Sequence, residues 1–193
     1  MGFAKSLLHR AFGVPRGLLG RLGGRLMSSS AKREMATWVI GLLGVQRGDH
    51  VLEVGYGPGI GLELAAVAVG PSGFVAGIDP SEVMRQMALR RNNPASGRAN
   101  LSILQASVDS IPLEPESFDH VFTMNSFQLW PDPAAGLKEI RRVIKPGGRL
   151  AISLDRFSGV SDPDAVVSAL VVAGFQQPKV ERNALGLCVL SRA

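Results

Sequence analysis

The chain has 193 residues, 46% hydrophobic and 19% charged, with a net charge of +5, which fits a single globular unit with a sizeable core. Its 23 glycines and 12 prolines stay below the level that marks low-complexity disorder,, and no apolar run approaches the roughly eighteen residues needed to cross a bilayer. Cys188 is the only cysteine, so an intramolecular disulfide, a cysteine zinc cluster and a CxxC redox pair are excluded, and a reducing, cytoplasmic setting is expected.

Charge is unevenly placed along the chain. Residues 1–33 hold Lys5, Arg10, Arg16, Arg21, Arg25, Lys32 and Arg33 with no acid, while the rest carries 14 of the 21 basic residues against all 16 acidic ones. A basic arm ahead of a near-neutral body predicts attraction to an anionic surface, whether phospholipid, nucleic acid or an acidic partner. Phe3, Leu7, Leu8 and Phe12 alternate with Lys5, His9 and Arg10 at helical spacing, predicting an amphipathic helix over 3–12 that ends near Gly13 and Pro15,. His9, Arg10, Arg16 and Arg21 interrupt the apolar character of residues 7–27, so no export signal is expected,. The start MGFAKS matches a myristoylation pattern that recurs by chance,. Four glycines between Arg16 and Gly24 weaken any helix there,. A second helix is predicted over Ala31 to Leu43, with caps at Ser28 to Ser30, a face of Met35, Trp38, Val39 and Leu42, and a stop at Gly44,. Residues 1–45 are therefore expected to form a basic helical arm or lid, and residues 46–193 the main domain.

From Asp49 onward short β-rich runs alternate with helical segments, the signature of a parallel α/β sheet. Strands are expected at Val51–Val54, Phe74–Ile78, Leu101–Gln105, His120–Met124 and Leu150–Leu154, with helices at Gly61–Val69, Ser81–Asn92 and Ala134–Ile144. A helix near Pro163–Ala173 follows, then runs at Gln177–Arg182 and Leu187–Ser191 whose short gap, Asn183–Gly186, predicts an antiparallel hairpin,.

The run VLEVGYGPGIGLELAA is a strand, then glycines at 55, 57, 59 and 61, then an apolar helix. In a parallel sheet this loop lies at the carboxyl end of the first strand, where open α/β folds bind ligands. A tight turn rarely needs four glycines in seven residues, so ligand binding is the better explanation. The spacing is not the dinucleotide GxGxxG, since the third position falls on Ile60 or Leu62, and no Gly-Lys-Ser/Thr follows for a nucleotide triphosphate,. Asp79 ends the second strand in FVAGIDPS and could accept both hydroxyls of a ribose, or else cap the helix that follows, where Ser81 competes for the role,.

Across about residues 30–160 the chain resembles the class I S-adenosylmethionine-dependent methyltransferases, in particular the small-molecule branch of ubiquinone and menaquinone biosynthesis. The resemblance rests on EVGYGPG at 53–59, GIDPS at 77–81, SVDSIPLEPESFDHV at 107–121 and EIRRVIKPGGRL at 139–150. It implies a Rossmann-like seven-stranded sheet in the order 3-2-1-4-5-7-6, the last strand antiparallel, with helices on both faces. It also implies S-adenosylmethionine as cofactor and S-adenosylhomocysteine as product. Glu53, Gly55, Tyr56, Gly57 and Gly59 would then flank the methionine moiety, Asp79 would hold the ribose, and Pro80 and Ser81 would lie near the adenine. Where the family commonly has an aspartate and a small residue beside the adenine, this chain has Ser107 and Val108. Asn125 corresponds to a position whose backbone carbonyl meets the cofactor's amino group.

No metal site and no general base is read from the residues; His50 and His120 fall at strand ends expected to face away from the loop, and His9 is on the arm,. Phe127 and Trp130 could line an apolar pocket or simply pack. The chain reads MNSFQLW after the fourth strand, without the [DN]PP[YF] motif of nucleic-acid amino-methyltransferases, so base methylation and a nucleic-acid partner are disfavoured,. The expected acceptor is a small, hydrophobic or membrane-associated molecule of quinol, phenol or lipid-like character, with the arm touching a membrane or other anionic surface. The competing expectation is a non-catalytic module that binds the same cofactor or its product and docks through the arm.

Overall fold

The computed structural model describes residues 30–92, 100–156, 158 and 162–193; the basic segment 1–29, with the expected 3–12 helix and the caps at Ser28 and Ser29, lies outside the described residues. Seven strands are β1 (His50–Val54), β2 (Phe74–Asp79), β3 (Asn100–Gln105), β4 (Phe118–Met124), β5 (Ile144–Asp155), β6 (Gln176–Arg182) and β7 (Gly186–Arg192). Among the described residues five α-helices are α1 (Ser30–Leu43), α2 (Ile60–Val69), α3 (Glu82–Arg91), α4 (Pro133–Val143) and α5 (Asp164–Val172). The strands form one sheet in the order β3-β2-β1-β4-β5-β7-β6. β1 to β5 are mutually parallel, and β7 runs antiparallel to both β5 and β6. This is the expected methyltransferase-type order.

Alternation along each strand divides the core in two. Leu52, Val54, Ala76, Ile78, Leu150 and Ile152 point to one face, where Leu137 and Ile140 of α4 and Val166 and Leu170 of α5 cover them. Val51, Val75, Phe122 and Ala151 point to the other, beneath Met35 and Val39 of α1, Leu62 and Ala65 of α2, and Met84 and Ala88 of α3. Because both faces are covered, the central strands read as apolar runs rather than half-polar ones. Each fully buried aliphatic side chain contributes roughly 1.5–3 kcal/mol.

α1, which falls inside the segment expected to be an arm, buries Met35, Ala36, Val39, Ile40 and Leu43 on one stripe,. Its C-terminus is held by Arg149, whose guanidinium donates to Leu42 O at 2.9 Å and Leu43 O at 2.7 Å. Those are the orphan carbonyls a helix end leaves. α4 starts as its residues dictate, with Pro133 in the first turn and Asp132 accepting from the amides of Ala134 and Ala135,.

Element ends differ from expectation by one or two residues, apart from the start of β5. β5 begins at Ile144, not Leu150, because Ile144 already pairs with Phe118 and the Gly147 and Ala193 amides exchange bonds with Ala193 O and Gly148 O. The Pro146-Gly147-Gly148 run therefore sits inside an extended segment, although its composition reads as a turn,. α3 is two residues shorter than expected because Ser81 and Asn92 are its caps.

Candidate functional site

β1 delivers the chain to the carboxyl edge of the sheet, and the next residues turn into α2. Gly55, Gly57 and Gly59 have φ of 74°, 52° and 83°. At Gly55 a side chain would be strained and would also run into Ser126, so the loop and the end of β4 touch through bare backbone,. Gly61, in the first turn of α2, lies against Glu53, and a Cβ there would fall on the Glu53 carboxylate. Tyr56 is buried, its ring packed over Gly77 and its hydroxyl donating to Leu104 O at 3.0 Å. That burial, aided by the Asp79 charge, pushes its phenol pKa well up.

Glu53 leaves β1 on the face covered by α1 and α2 and is 1% exposed. The Leu62 amide donates to its carboxylate, but Oε2 has no partner. Burial first, and the neighbouring Asp79 charge second, hold its pKa well above the usual carboxylate range. An unpaired buried carboxylate oxygen is costly, and an ammonium group from a ligand is the partner that would relieve it.

Asp79 ends β2 and is 7% exposed. Its Oδ2 accepts the Gly57 amide and its Oδ1 the Ser81 amide, both at 2.9 Å. Burial raises its pKa to about 6 against the opposing pull of those two N–H donors. The capping question is settled by geometry: Ser81 Oγ accepts the Met84 amide at 3.3 Å, so Ser81 caps α3 and Asp79 ties the loop to the strand. Each carboxylate oxygen keeps acceptor capacity beyond one backbone bond, enough for a vicinal diol.

Asn125, the residue after β4, adopts φ 53°. Its amide donates to Ser153 O at 2.8 Å and its Oδ1 accepts the Asp155 amide at 2.6 Å, while its Nδ2 is buried without a partner. Ser126 Oγ accepts the Trp130 indole N–H at 2.9 Å. Trp130 belongs to the core beneath α4, its ring centroid 4.9 Å from that of Phe127, so this aromatic pair packs within the protein.

Two adjoining clefts open along this edge. The first, about 50 Å³, is lined by Glu53, Gly55, Tyr56, Gly57, Gly61, Asn125 and Lys32 among others. The second, about 150 Å³, is lined by Lys32, Asn125, Asp155, Arg156, the apolar Ala31 and Met35, and Ala184 and Leu185 of the turn between β6 and β7. Lys32 stands between them with Nζ 2.9 Å from Asp155 Oδ2. Of the expected residues, Glu53, Gly55, Tyr56, Gly57 and Asn125 come together in the first cleft, and Gly59, Asp79, Pro80, Ser81, Ser107 and Val108 do not line it. Pro80 is exposed, and its carbonyl accepts from the Gln105 side chain. Ser107 is half-buried in a turn closed by the Ser110 amide, and Val108 is buried in the core beneath α4.

His50 and His120 sit at the amino end of the sheet, bonded to Ser117 O and Asp49 respectively, as expected for residues facing away from the loop. Among the described residues no group of His, Cys, Asp or Glu is arranged to hold a metal ion. No helix there is long and apolar enough to cross a membrane. Lys32 and Asp155 were not among the expected site residues. Lys32 was counted only as arm charge, although an acid at the carboxyl end of the fifth strand is a signal that could have marked Asp155.

A family profile described as "Methyltransferase domain" matches residues 52–152. The chain is 33% identical over 147 residues to an uncharacterized methyltransferase, YdaC, of Bacillus subtilis, covering 76% of this chain and 78% of that protein. It is 35% identical over 106 residues to the demethylmenaquinone methyltransferase of Staphylococcus aureus, a match that spans 55% of this chain and only 43% of that enzyme. Among solved structures, an S-adenosylmethionine-dependent methyltransferase from Aquifex aeolicus superposes with a TM-score of 0.74 at 28% identity, covering 88% of this chain and 95% of that one.

Proposed function

The chain belongs to the methyltransferase-domain family and is an S-adenosylmethionine-dependent methyltransferase; from that premise we propose that it holds the cofactor along the carboxyl ends of β1 and β2 and methylates a small hydrophobic acceptor. The observation that carries the placement is Glu53 Oε2, a buried carboxylate oxygen without a partner at the floor of a glycine-walled cleft. The residues fit the group. The cleft is acidic at its base where the ligand has an ammonium, lined by Gly55, Gly57 and Gly61 where the ligand's chain would pass, and followed by the Asp79 carboxylate for a ribose.

In this reading Glu53 takes the ammonium and Asp79 the ribose hydroxyls. Pro80, Ser81, Ser107 and Val108 surround the adenine, largely through backbone in the case of the buried Val108. The Asn125 backbone, held in place by Ser153 and Asp155, closes the floor between the two clefts. When bound, the cofactor would supply a methyl group on a sulfonium; an acceptor hydroxyl would take it in line as the carbon–sulfur bond breaks to a neutral thioether, with the hydroxyl proton released to solvent. The protein's work is alignment and exclusion of water rather than covalent chemistry.

The second cleft adjoins the first and is the natural seat for the acceptor. Part of its wall, Met35, Leu185, Ala31 and Ala184, is apolar, and the relative from Staphylococcus aureus acts, by its name, on a demethylmenaquinone. Both support an acceptor of quinol, phenol or lipid-like character. The net positive charge of residues 1–33 supports contact of the arm with an anionic surface that carries such an acceptor,.

Calorimetric titration with S-adenosylmethionine, S-adenosylhomocysteine and NAD, with Asp79→Ala as control, tests the site. Micromolar binding of the two adenosyl ligands that weakens in the variant is the expected result, and preference for NAD would overturn it. Transfer of labelled methyl to quinols or phenols tests the acceptor. Transfer confined to hydrophilic amines would overturn that part alone.

A further inference from the structure

The loop that walls the first cleft has few donors left for an anion. The amide of Gly55 bonds Ile78 O, that of Gly57 bonds Asp79, and that of Gly59 bonds Tyr56 O. The floor is the Glu53 carboxylate, which repels a second carboxylate. The cofactor's amino-acid end nevertheless carries one. Among the described residues lining the cleft, Lys32 is the single cation. The nearby guanidinium groups of Arg33 and Arg91 pair instead with Glu63, at 2.8 and 3.5 Å, on the outer side of α2.

Resting on the reading of this cleft as the cofactor site, we propose that Lys32 is the carboxylate anchor for the cofactor's amino-acid end, and that Asp155 occupies its ammonium until the cofactor takes it over. Lys32 projects from the first turn of α1, across 123 residues of sequence, to reach Asp155 at the end of β5. Its side chain is 29% exposed and that of Asp155 20%, so the pair is reachable by solvent and ligand. Ion pairs of that exposure are weak, and exchanging one carboxylate for another costs little. The two groups the ligand presents then meet opposite charges, its ammonium at Glu53 and its carboxylate at Lys32. The cleft is only about 50 Å³, room for a few heavy atoms, which suits the amino-acid end with the nucleoside outside. Exchange also leaves the Asp155 carboxylate facing the second cleft without its ammonium.

The test is calorimetry on the full chain and on Lys32→Met, Lys32→Arg and Asp155→Asn, with S-adenosylhomocysteine and 5′-methylthioadenosine, which keeps the nucleoside and sulfur but lacks the amino-acid end. Lys32→Met is expected to weaken S-adenosylhomocysteine tenfold or more while leaving methylthioadenosine unchanged, and Lys32→Arg to stay within a few-fold of the unaltered chain. Asp155→Asn, which removes the competing carboxylate, is expected to tighten S-adenosylhomocysteine several-fold. Equal weakening of both ligands by Lys32→Met would mean the side chain only holds α1 in place, and no weakening of either would mean that it does not meet the ligand; each overturns the assignment. Weaker S-adenosylhomocysteine binding by Asp155→Asn overturns the exchange. Failure of the unaltered chain to bind either ligand would overturn the cofactor reading itself, and is distinguishable because it precedes any effect of Lys32.

Discussion

Asp79 accepts the Gly57 amide on Oδ2 at 2.9 Å, so the carboxyl end of β2 holds the loop that follows β1. Under the proposed placement the same carboxylate would also hold the ribose, so one side chain would carry both loop geometry and ligand affinity.

Its titration separates those roles. The folded-state value of about 6 lies above the ordinary 3.8, so the folded protein binds this proton more tightly than the unfolded chain does. Stability from this group is full below about pH 4 and is lost as pH rises through about 6. A two-unit elevation corresponds to about 3 kcal/mol. Asp79→Asn removes the titration, so its melting temperature relative to the unaltered chain should climb between about pH 4 and pH 6.5 and level off above. At neutral pH its affinity for S-adenosylhomocysteine should be roughly ten- to hundred-fold lower, since charge-assisted hydrogen bonds are worth about 1.5–3 kcal/mol. A flat melting difference would contradict the burial of the ionised form.

Gly61 and Glu53 should be coupled with a change of sign. In the unaltered chain Gly61→Ala places a methyl group on the Glu53 carboxylate and should cost about 1–3 kcal/mol,. In a Glu53→Ala background the space is vacated, and the same change should stabilise by about 0.5–1 kcal/mol through helix propensity. Denaturant melts of the four proteins measure the coupling directly.

Arg149 fastens α1 to the sheet through two carbonyls at the helix end. Arg149→Met should lose about 1–3 kcal/mol, a fall of roughly 3–10 °C in melting temperature. Lysine, which lacks the planar fork, should recover only part of that loss. Hydrogen exchange in 36–43 should rise in the methionine variant before that of the central strands.

Removal of residues 1–27 tests the arm separately from the cofactor cleft, since Lys32 and α1 are retained. Turnover of a hydrophobic acceptor presented in anionic vesicles should fall at least tenfold, with S-adenosylhomocysteine affinity within a factor of two. Undiminished turnover would remove the arm from acceptor delivery.

The succession of strands and helices and the glycine loop were legible because each depends on local pattern: apolar runs such as Val51–Val54, turn residues between them, and a loop that excludes side chains; the order of the strands in the sheet came with the family resemblance, not with that pattern. The terminal hairpin was legible for the same reason. What escaped were relationships between distant segments. Lys32 carries no local mark of the role proposed for it, because the partner it meets is Asp155, 123 residues away. Val108 and Tyr56 sit within ligand-binding motifs, yet Val108 packs into the core and the Tyr56 hydroxyl is turned inward to Leu104. A motif marks a stretch of backbone, and the packing of both faces decides where each side chain goes. The start of β5 was hidden by Pro146-Gly147-Gly148, whose turn chemistry is overridden by pairing with Phe118 and Ala193.

The two clefts share Lys32 and Asn125 but otherwise draw on different stretches of chain. The wall of the first is written almost wholly in residues 53–61, while the far wall of the second is Ala184 and Leu185 in the turn joining β6 to β7. That turn carries no part of the glycine loop and lies at the opposite end of the chain from it. If the acceptor sits in the second cleft as proposed, lengthening or replacing that turn would alter one chamber and leave the glycine wall of the other intact, so descendants of this scaffold could change what they methylate by drift in a single surface hairpin, without passing through a form that has lost its methyl donor.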